Sequence, residues 1–403
     1  MNTQKNEGLP KYYEFFNSVK IVSGYKALES MSYELNLLGA KMPIIITDKG
    51  VTKAGLVDHV VNSFGGSEVK IGAVYDDTPV DSSNVAVNEI ANIYRQQGCD
   101  SIIAVGGGSV IDTAKGVNIV ISEETDDLMK FTGNNRLTKP MKPFIVIPTT
   151  AGTGSEVTMA AVIANPAKKM KMQFTSPLML PKVAVIDPVM TMSMPAKITA
   201  ATAMDALTHA VEAYIGPQKN PISDAFAFSA IEMINEHIEN AIKNGNDKDT
   251  RLAMANAALL AGVAFANSMC GIIHALAHAV GGLCHVPHGV ANAILLPHGL
   301  EFYIRKSPET SKRIGKLLRF LASPEDYARV PVVERSKNTV AAIRSINDSL
   351  NKLCGMPLTL SQAGVTKDKL EAIAQATIND GAISFSPVEV SYQEALEILN
   401  QAF

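Results

Sequence analysis

The sequence predicts an α/β domain built on a parallel sheet, followed by an all-helical domain. Three observations carry that reading. Short β-branched runs alternate with helical patterns through the first half, and the strand signal stops after Met194-Pro195. The chain is also long, at 403 residues, for a single hydrophobic core. These place a domain boundary near 195, dividing the chain into residues 1–194 and 195–403.

The expected strands are MPIIITD (42–48), KIGAVYDD (70–77), DSIIAVGGGS (100–109), PFIVIPTT (143–150) and KVAVIDP (182–188). Helical spacing appears between several of them, in NVAVNEIANIYRQQG (84–98) and VIDTAKGVNIVIS (110–122). Apolar strands alternating with helices are covered on both faces and pair in parallel. Beyond 195, AKITAATAMDALTHAVEAYI, SDAFAFSAIEMINEHIENAIKNG and DTRLAMANAALLAGVAFANSM carry Ala, Leu and Met at helical spacing. The rest reads as helical, broken near Pro331, Pro357 and Pro387. No internal repeat or low-complexity linker is visible.

Composition narrows the function classes. Apolar residues make up 47% and charged residues 19%, the net charge is −3, and no Lys/Arg cluster forms a nucleic-acid footprint. The four cysteines, Cys99, Cys270, Cys284 and Cys354, form no CxxC pair and read as thiols of a reducing compartment. MNTQKNEGLPKYYEFF lacks the apolar core of a signal peptide, so a cytoplasmic protein is expected. Leu252 to Leu300 holds no Asp, Glu, Lys or Arg. Its Ala content, and the cost of Asn256 and Asn267 in lipid, favour buried helices around a site over a membrane span.

Two loops read as phosphate-binding. SIIAVGGGSVIDTAKG is a strand, three glycines with a serine, then a helix. Glycines admit backbone N–H groups close to an anion, and a helix N-terminus favours negative charge. The pattern is neither GxGxxG nor a Walker loop, and a tight strand-to-helix turn would need the same residues. IPTTAGTGSEVT (147–158) follows another strand and presents Thr149, Thr150, Thr153 and Ser155 among glycines. Asp48, after the IIIT strand, is placed either to accept ribose hydroxyls and repel a 2′-phosphate, favouring NAD over NADP, or simply to cap the next helix.

The histidines are concentrated. GIIHALAHAVGGLCHVPHG (271–289) holds four, and five of the chain's eight lie between His274 and His298. Asp205 and His209 are spaced i,i+4, as are His274 and His278, so each pair shares a helical face. His288, fourteen residues past His274, would lie about 21 Å away along an unbroken helix. It joins the same site only if the chain turns, and Gly281-Gly282 and Pro287 offer the turn. A carboxylate with two or three imidazoles suits Fe²⁺, Zn²⁺ or Mn²⁺, with Cys270 and Cys284 near enough in sequence to compete. His285 reads as an outer hydrogen-bond donor or a surface residue; His59, His237 and His298 read as structural.

Taken in order, TDKG, GGGSVIDTAKG, PTTAGTGSEVT, MDALTHAVEAY and GIIHALAHAVGGLCHVPHG with ANAILLPH resemble the iron-containing (group III) alcohol dehydrogenase family over nearly the whole chain. The resemblance implies a Rossmann-like dinucleotide-binding α/β domain and an all-α metal-binding domain, the dehydroquinate synthase-like fold. It assigns the metal to Asp205, His209, His274 and His288, and puts His278 near substrate and nicotinamide as a proton relay. Cofactor contacts fall on Asp48, Gly106, Gly107, Gly108, Ser109, Thr149 and Thr153, and on Lys171 at the nicotinamide ribose.

The expected activity is NAD- and metal-dependent interconversion of small primary alcohols and aldehydes, with Fe²⁺ as the ion and Zn²⁺ or Mn²⁺ as substitutes, in a homodimer or larger homo-oligomer. Within the enzyme class the alternatives are a 1,3-propanediol or glycerol dehydrogenase, a maleylacetate reductase and a hydroxyacid–oxoacid transhydrogenase. Dehydroquinate synthase chemistry would need a basic cluster near the metal motif, and none is seen. A non-catalytic scaffold is the reading from another class, and buried imidazoles without a partner argue against it.

Overall fold

The apolar strands of the first half sort their side chains by parity. In the computed structural model, which describes residues 10–403, Ile44, Ile46, Ile102, Ala104, Phe144 and Val146 face one core, while Ile45, Ile103, Val105, Ile145, Ile147, Val183 and Val185 face another. Successive strand residues point to opposite faces, so a strand buried on both must be apolar throughout. Residues 1–9, most of the stretch read for a signal peptide, lie outside the described residues.

The strands are β1 (Lys20–Ser23), β2 (Pro43–Ile46), β3 (Ala73–Tyr75), β4 (Ser101–Gly106), β5 (Gly133–Asn134), β6 (Phe144–Pro148), β7 (Ala160–Asn165), β8 (Met170–Thr175) and β9 (Val183–Ile186). Six form a parallel sheet in the order β1-β9-β6-β4-β2-β3. Helices α1 (Met31–Leu37), α2 (Lys49–Lys53) and α3 (Leu56–Asn62) supply one face, and α4 (Asn84–Gln96) and α5 (Gly108–Ser122) the other. All five strands expected from the sequence are present. The sequence reading missed the edge strand β1 and a second sheet, β5-β8-β7, whose β7–β8 pair is an antiparallel hairpin.

The strand order reverses direction between β2 and β4. From β2 the chain moves outward to β3, then returns to the other side of β2 for β4. In open parallel sheets ligands sit beyond the strand C-termini at such a switch. Asp48 lies at the end of β2 and Gly106–Gly108 at the end of β4, so the two loops singled out in sequence flank this point. Thr149, at the end of neighbouring β6, is tied to it by its N–H donating to the Gly106 carbonyl at 3.1 Å.

No strand follows β9 among the described residues. The helices are α6 (Ala196–Ile215), α7 (Pro221–Lys243), α8 (Lys248–Ala266), α9 (Ile272–Cys284), α10 (His288–Lys306), α11 (Pro308–Leu321), α12 (Pro324–Arg329), α13 (Arg335–Cys354), α14 (Leu370–Ile378) and α15 (Tyr392–Ala402). The chain forms two compact units: Phe16–Met194 with Asn246–Leu259, and Pro195–Gly245 with Leu260–Phe403 and the described residues before Phe16. In the second, α6 is buried without a break from Ala203 to Ile215 and packs against α7 and α10. A helix buried on every side must satisfy any polar group it carries inside the core. Among the described residues no helix is long and apolar enough to cross a membrane.

Candidate active site

Three helices converge on one donor set. α6 presents Asp205, α9 presents His274, and α10 begins at His288. The turn that sequence analysis required is made by His285, which ends α9 in the left-handed region at φ 57°, and by Pro287, which precedes α10. His285 is exposed, so its part is in the turn. Gly289 lets α10 meet α6 main chain to main chain: a Cβ there would fall 2.1 Å from the Ala201 carbonyl oxygen.

The donor atoms are spaced for a cation. Asp205 Oδ1 lies 3.3 Å from His288 Nε2 and 3.8 Å from His274 Nε2. Ligands about 2.1 Å from a tetrahedral ion stand about 3.4 Å apart, so a first-row divalent ion fits these residues. His209 meets the set through His274: its ring stacks on His274, centroids 4.4 Å apart, and its ligand nitrogen lies within 4.8 Å of the ligand atoms of His274 and Cys270. All four expected ligands thus gather about His274.

Two residues not singled out in the sequence organise the set. Glu212, two turns along α6 from Asp205, is buried beneath α9. Its Oε1 accepts from Ile273 N–H at 3.0 Å, and its Oε2 accepts from His274 N–H at 3.2 Å and faces His274 Nδ1 at 2.6 Å. Burial raises the Glu212 carboxyl to about 7 against the pull of these N–H groups. With Nδ1–H donated to Glu212, the His274 lone pair lies on Nε2, toward Asp205. Burial, and then the neighbouring imidazoles, hold His274 well below its ordinary value, so the ring is neutral and able to ligate.

Asn292 is the second. One turn after His288 and fully buried, it donates from Nδ2 to Asp205 Oδ1 at 2.7 Å. The same nitrogen lies 3.3 Å from His274 Nε2 and 3.2 Å from His288 Nε2, while Asn292 Oδ1 has no hydrogen-bond partner. The available signals were periodic: Glu212 lies three residues after His209, and Asn292 four after His288.

His278 borders the set. Its ring stacks on His288 with centroids 5.2 Å apart, and its Nδ1 lies 3.0 Å from Asp380 Oδ2. Burial works to raise the Asp380 carboxyl, but His278, the Ala382 N–H and His288 together hold it below its usual range. Cys270 stands just ahead of α9, its thiol pushed well above its ordinary value by burial and then by Glu212 and Asp205.

In the α/β unit the two Gly-bearing loops touch. A Cβ on Gly107 would stand 3.3 Å from the Thr150 side chain, and one on Gly108 would stand 3.1 Å from Thr153 Cγ2. Gly108 and Ser109 open α5, with N–H groups at its N-terminus. The Ser109 hydroxyl donates to the Val80 carbonyl. Asp48 caps α2, accepting from Val51 N–H at 3.0 Å. Lys171, on β8, pairs with Asp81 at 3.3 Å.

Beneath these loops lies a charge the sequence reading passed over within its own motif. Lys115, buried on α5, directs Nζ at five oxygens of Ser155, Thr158 and Ala160, at 2.8–3.2 Å. Asp112, one turn earlier, accepts from the Ser155 hydroxyl and from Val162 N–H. Burial lowers Lys115 to about 8, opposed by Asp112 and Glu156, and raises Glu156 to about 7.

Comparison with known proteins bears on this geometry. The model of the iron-containing alcohol dehydrogenase matches residues 18–188, and that of the C-terminal part of the Fe-containing alcohol dehydrogenase family matches 199–403. This chain belongs to the iron-containing alcohol dehydrogenase family. It is 36% identical to a 1,3-propanediol dehydrogenase of Klebsiella pneumoniae over 94% of this chain and 96% of that one. It is 33% identical to an NAD-dependent methanol dehydrogenase of Bacillus methanolicus, over 96% and 99%. A solved 1,3-propanediol oxidoreductase superposes with a TM-score of 0.91 at 35% identity, covering 98% of this chain and all of that one. Family membership makes the protein an oxidoreductase acting on alcohols.

Proposed function

We propose that the protein is a metal- and NAD-dependent alcohol dehydrogenase that interconverts small primary alcohols and aldehydes. The observation that carries the proposal is the convergence of Asp205 Oδ1, His274 Nε2 and His288 Nε2, with Glu212 buried behind His274. A divalent ion bound there supplies Lewis acidity to the alcohol or carbonyl oxygen, and NAD supplies the hydride acceptor.

The chain's residues do the rest. Glu212 holds the tautomer that leaves the His274 Nε2 lone pair free for a ligand bond. His278, anchored through Nδ1 by Asp380, keeps Nε2 as a station for the proton released on oxidation. Gly106, Gly107, Gly108 and Ser109 receive the pyrophosphate at the start of α5, with Thr149 and Thr153 on the adjoining loop. Asp48 accepts ribose hydroxyls while capping α2 and repels a 2′-phosphate, so NAD is preferred to NADP. The stretch from Leu252 to Leu300, free of Asp, Glu, Lys and Arg, suits a short neutral substrate.

The test is anaerobic NADH oxidation by metal-stripped protein with short aldehydes, 3-hydroxypropionaldehyde among them, before and after adding Fe²⁺, Zn²⁺ or Mn²⁺. Activity restored by an ion is the expected result, and none with any ion despite bound NADH overturns the proposal. His288→Ala is expected to lower kcat at least about 100-fold while NADH affinity is unchanged.

A further inference from the structure

A groove between α10 and α13 takes no part in the proposed reaction. It encloses about 350 Å³, within the range of about 300–1,000 Å³ that holds small organic ligands. Its lining residue nearest the donor set in sequence is Glu301, thirteen residues past His288 on α10 and about 20 Å along the helix. Ile304, Val340 and Ala341 give the groove an apolar floor, with Val340 buried. Its charge is positive: Arg305, Lys337 and Arg344 stand against one carboxylate, Glu301. That carboxylate is already matched, both of its oxygens lying 3.0 Å from Arg344 Nη2. Arg344 Nε and Nη1 bond no other described residue. Arg305 pairs through Nη2 with Glu397 at 3.2 Å. Lys337 is exposed and forms no ion pair among the described residues.

These features select a ligand. One uncommitted ammonium and the spare nitrogens of a guanidinium suit a single carboxylate, whose oxygens accept from both. The apolar floor favours an aliphatic chain over a sugar, and no aromatic ring lines the groove to stack a base. An alkylammonium is repelled by the same cations. We propose that the α10–α13 groove binds aliphatic monocarboxylates, with Lys337 and Arg344 holding the carboxylate and Ile304, Val340 and Ala341 receiving the chain. Binding is noncovalent, and no electron or proton changes hands.

The experiment titrates full-length protein with hexanoate and follows binding by saturation-transfer NMR of the ligand and by calorimetry. The wild type is expected to bind hexanoate, and to bind hexan-1-ol and hexylammonium at least about tenfold more weakly for want of a charge-assisted contact. Lys337→Glu, which reverses the free charge, and Ala341→Phe, which fills the floor, should each weaken hexanoate at least about tenfold. Lys337→Arg and His288→Ala should keep it, the first because the charge remains and the second because it alters only the donor set. No hexanoate bound by the wild type, or equal binding in Lys337→Glu and Ala341→Phe, overturns the site. Loss in His288→Ala with binding retained in both groove variants also overturns it, by placing the carboxylate at the donor set. Hexan-1-ol bound as tightly as hexanoate overturns the role of the carboxylate. Lys337 and Ala341 are both exposed, and thermal melts of the variants separate loss of ligand from loss of fold. None of these readouts uses turnover, so the outcome is independent of the dehydrogenase proposal.

Discussion

Asn292 and Glu212 set the quality of the donor group without being among its expected ligands. Glu212 orients one imidazole, and Asn292 ties Asp205 Oδ1 to the level of both imidazole nitrogens. Groups that orient metal ligands this way typically govern affinity by about 10- to 100-fold. Glu212→Gln and Asn292→Ala are therefore each expected to weaken Fe²⁺ or Mn²⁺ binding by about tenfold or more in competition with a chromophoric chelator. Unchanged affinity in both would show that the three donors need no support. At this scale the sequence was legible only in part. Histidines and an aspartate at i,i+4 announce a metal, but a lone Glu or Asn in an Ala-rich helix announces nothing until its neighbours are known.

Helix α5 does more than cover the sheet. Its i,i+3 pair Asp112 and Lys115 grips residues 155–162, joining the glycine loop after β4 to the threonine loop after β6. Removing the cation leaves the five oxygens without their donor and Asp112 without its counter-charge. Lys115→Met is expected to lower stability by about 3 kcal/mol. If these loops hold NAD as proposed, KM for NAD should rise more than kcat falls in the same variant, because a loosened loop weakens cofactor binding before it affects chemistry; kcat lost with KM unchanged would argue against that role. The element-level reading succeeded where burial imposed a pattern, as in β2, β4, β6 and β9, each apolar on both faces. It missed the β7–β8 hairpin because half of that surface is wet: only alternate residues such as Ala161, Ile163, Met172 and Phe174 are buried, so the two-sided burial that imposed unbroken apolar runs on the sheet strands does not act there. β1 was missed for the same reason, with only Val22 reaching a core.

On the scale of the whole molecule, the break in strand signal at Met194-Pro195 was visible because every later element is helical. The assignment of Asn246–Leu259 to the other unit was not, since a helix reads the same whichever unit it joins. Global stability should respond to acid through His298. Its side chain is 12% exposed, Nδ1 has no hydrogen-bond partner, and burial, then Arg344, lowers it from 6.5 to about 4. Below pH 6.5 the unfolded chain takes up a proton that the folded one refuses, so this contribution is intact above pH 6.5 and lost as pH falls toward 4. At most about 3 kcal/mol is involved. Unfolding followed across that range should show a shallower pH dependence in His298→Gln than in the wild type, and parallel curves would refute the assignment.

The contact at Gly289 acts as a gauge. Because the α10 main chain rests on the Ala201 carbonyl, the gap between Asp205 and His288 is set by peptide groups, which do not yield as side chains do. Ions forming bonds of about 2.0–2.2 Å fit between the two helices. A calcium-sized ion, needing bonds of about 2.3–2.6 Å and six or more oxygens, finds neither the width nor the donors. An ion held there as proposed would be selected partly by a residue with no side chain, and Gly289→Ala should blunt that selectivity by prising α6 and α10 apart.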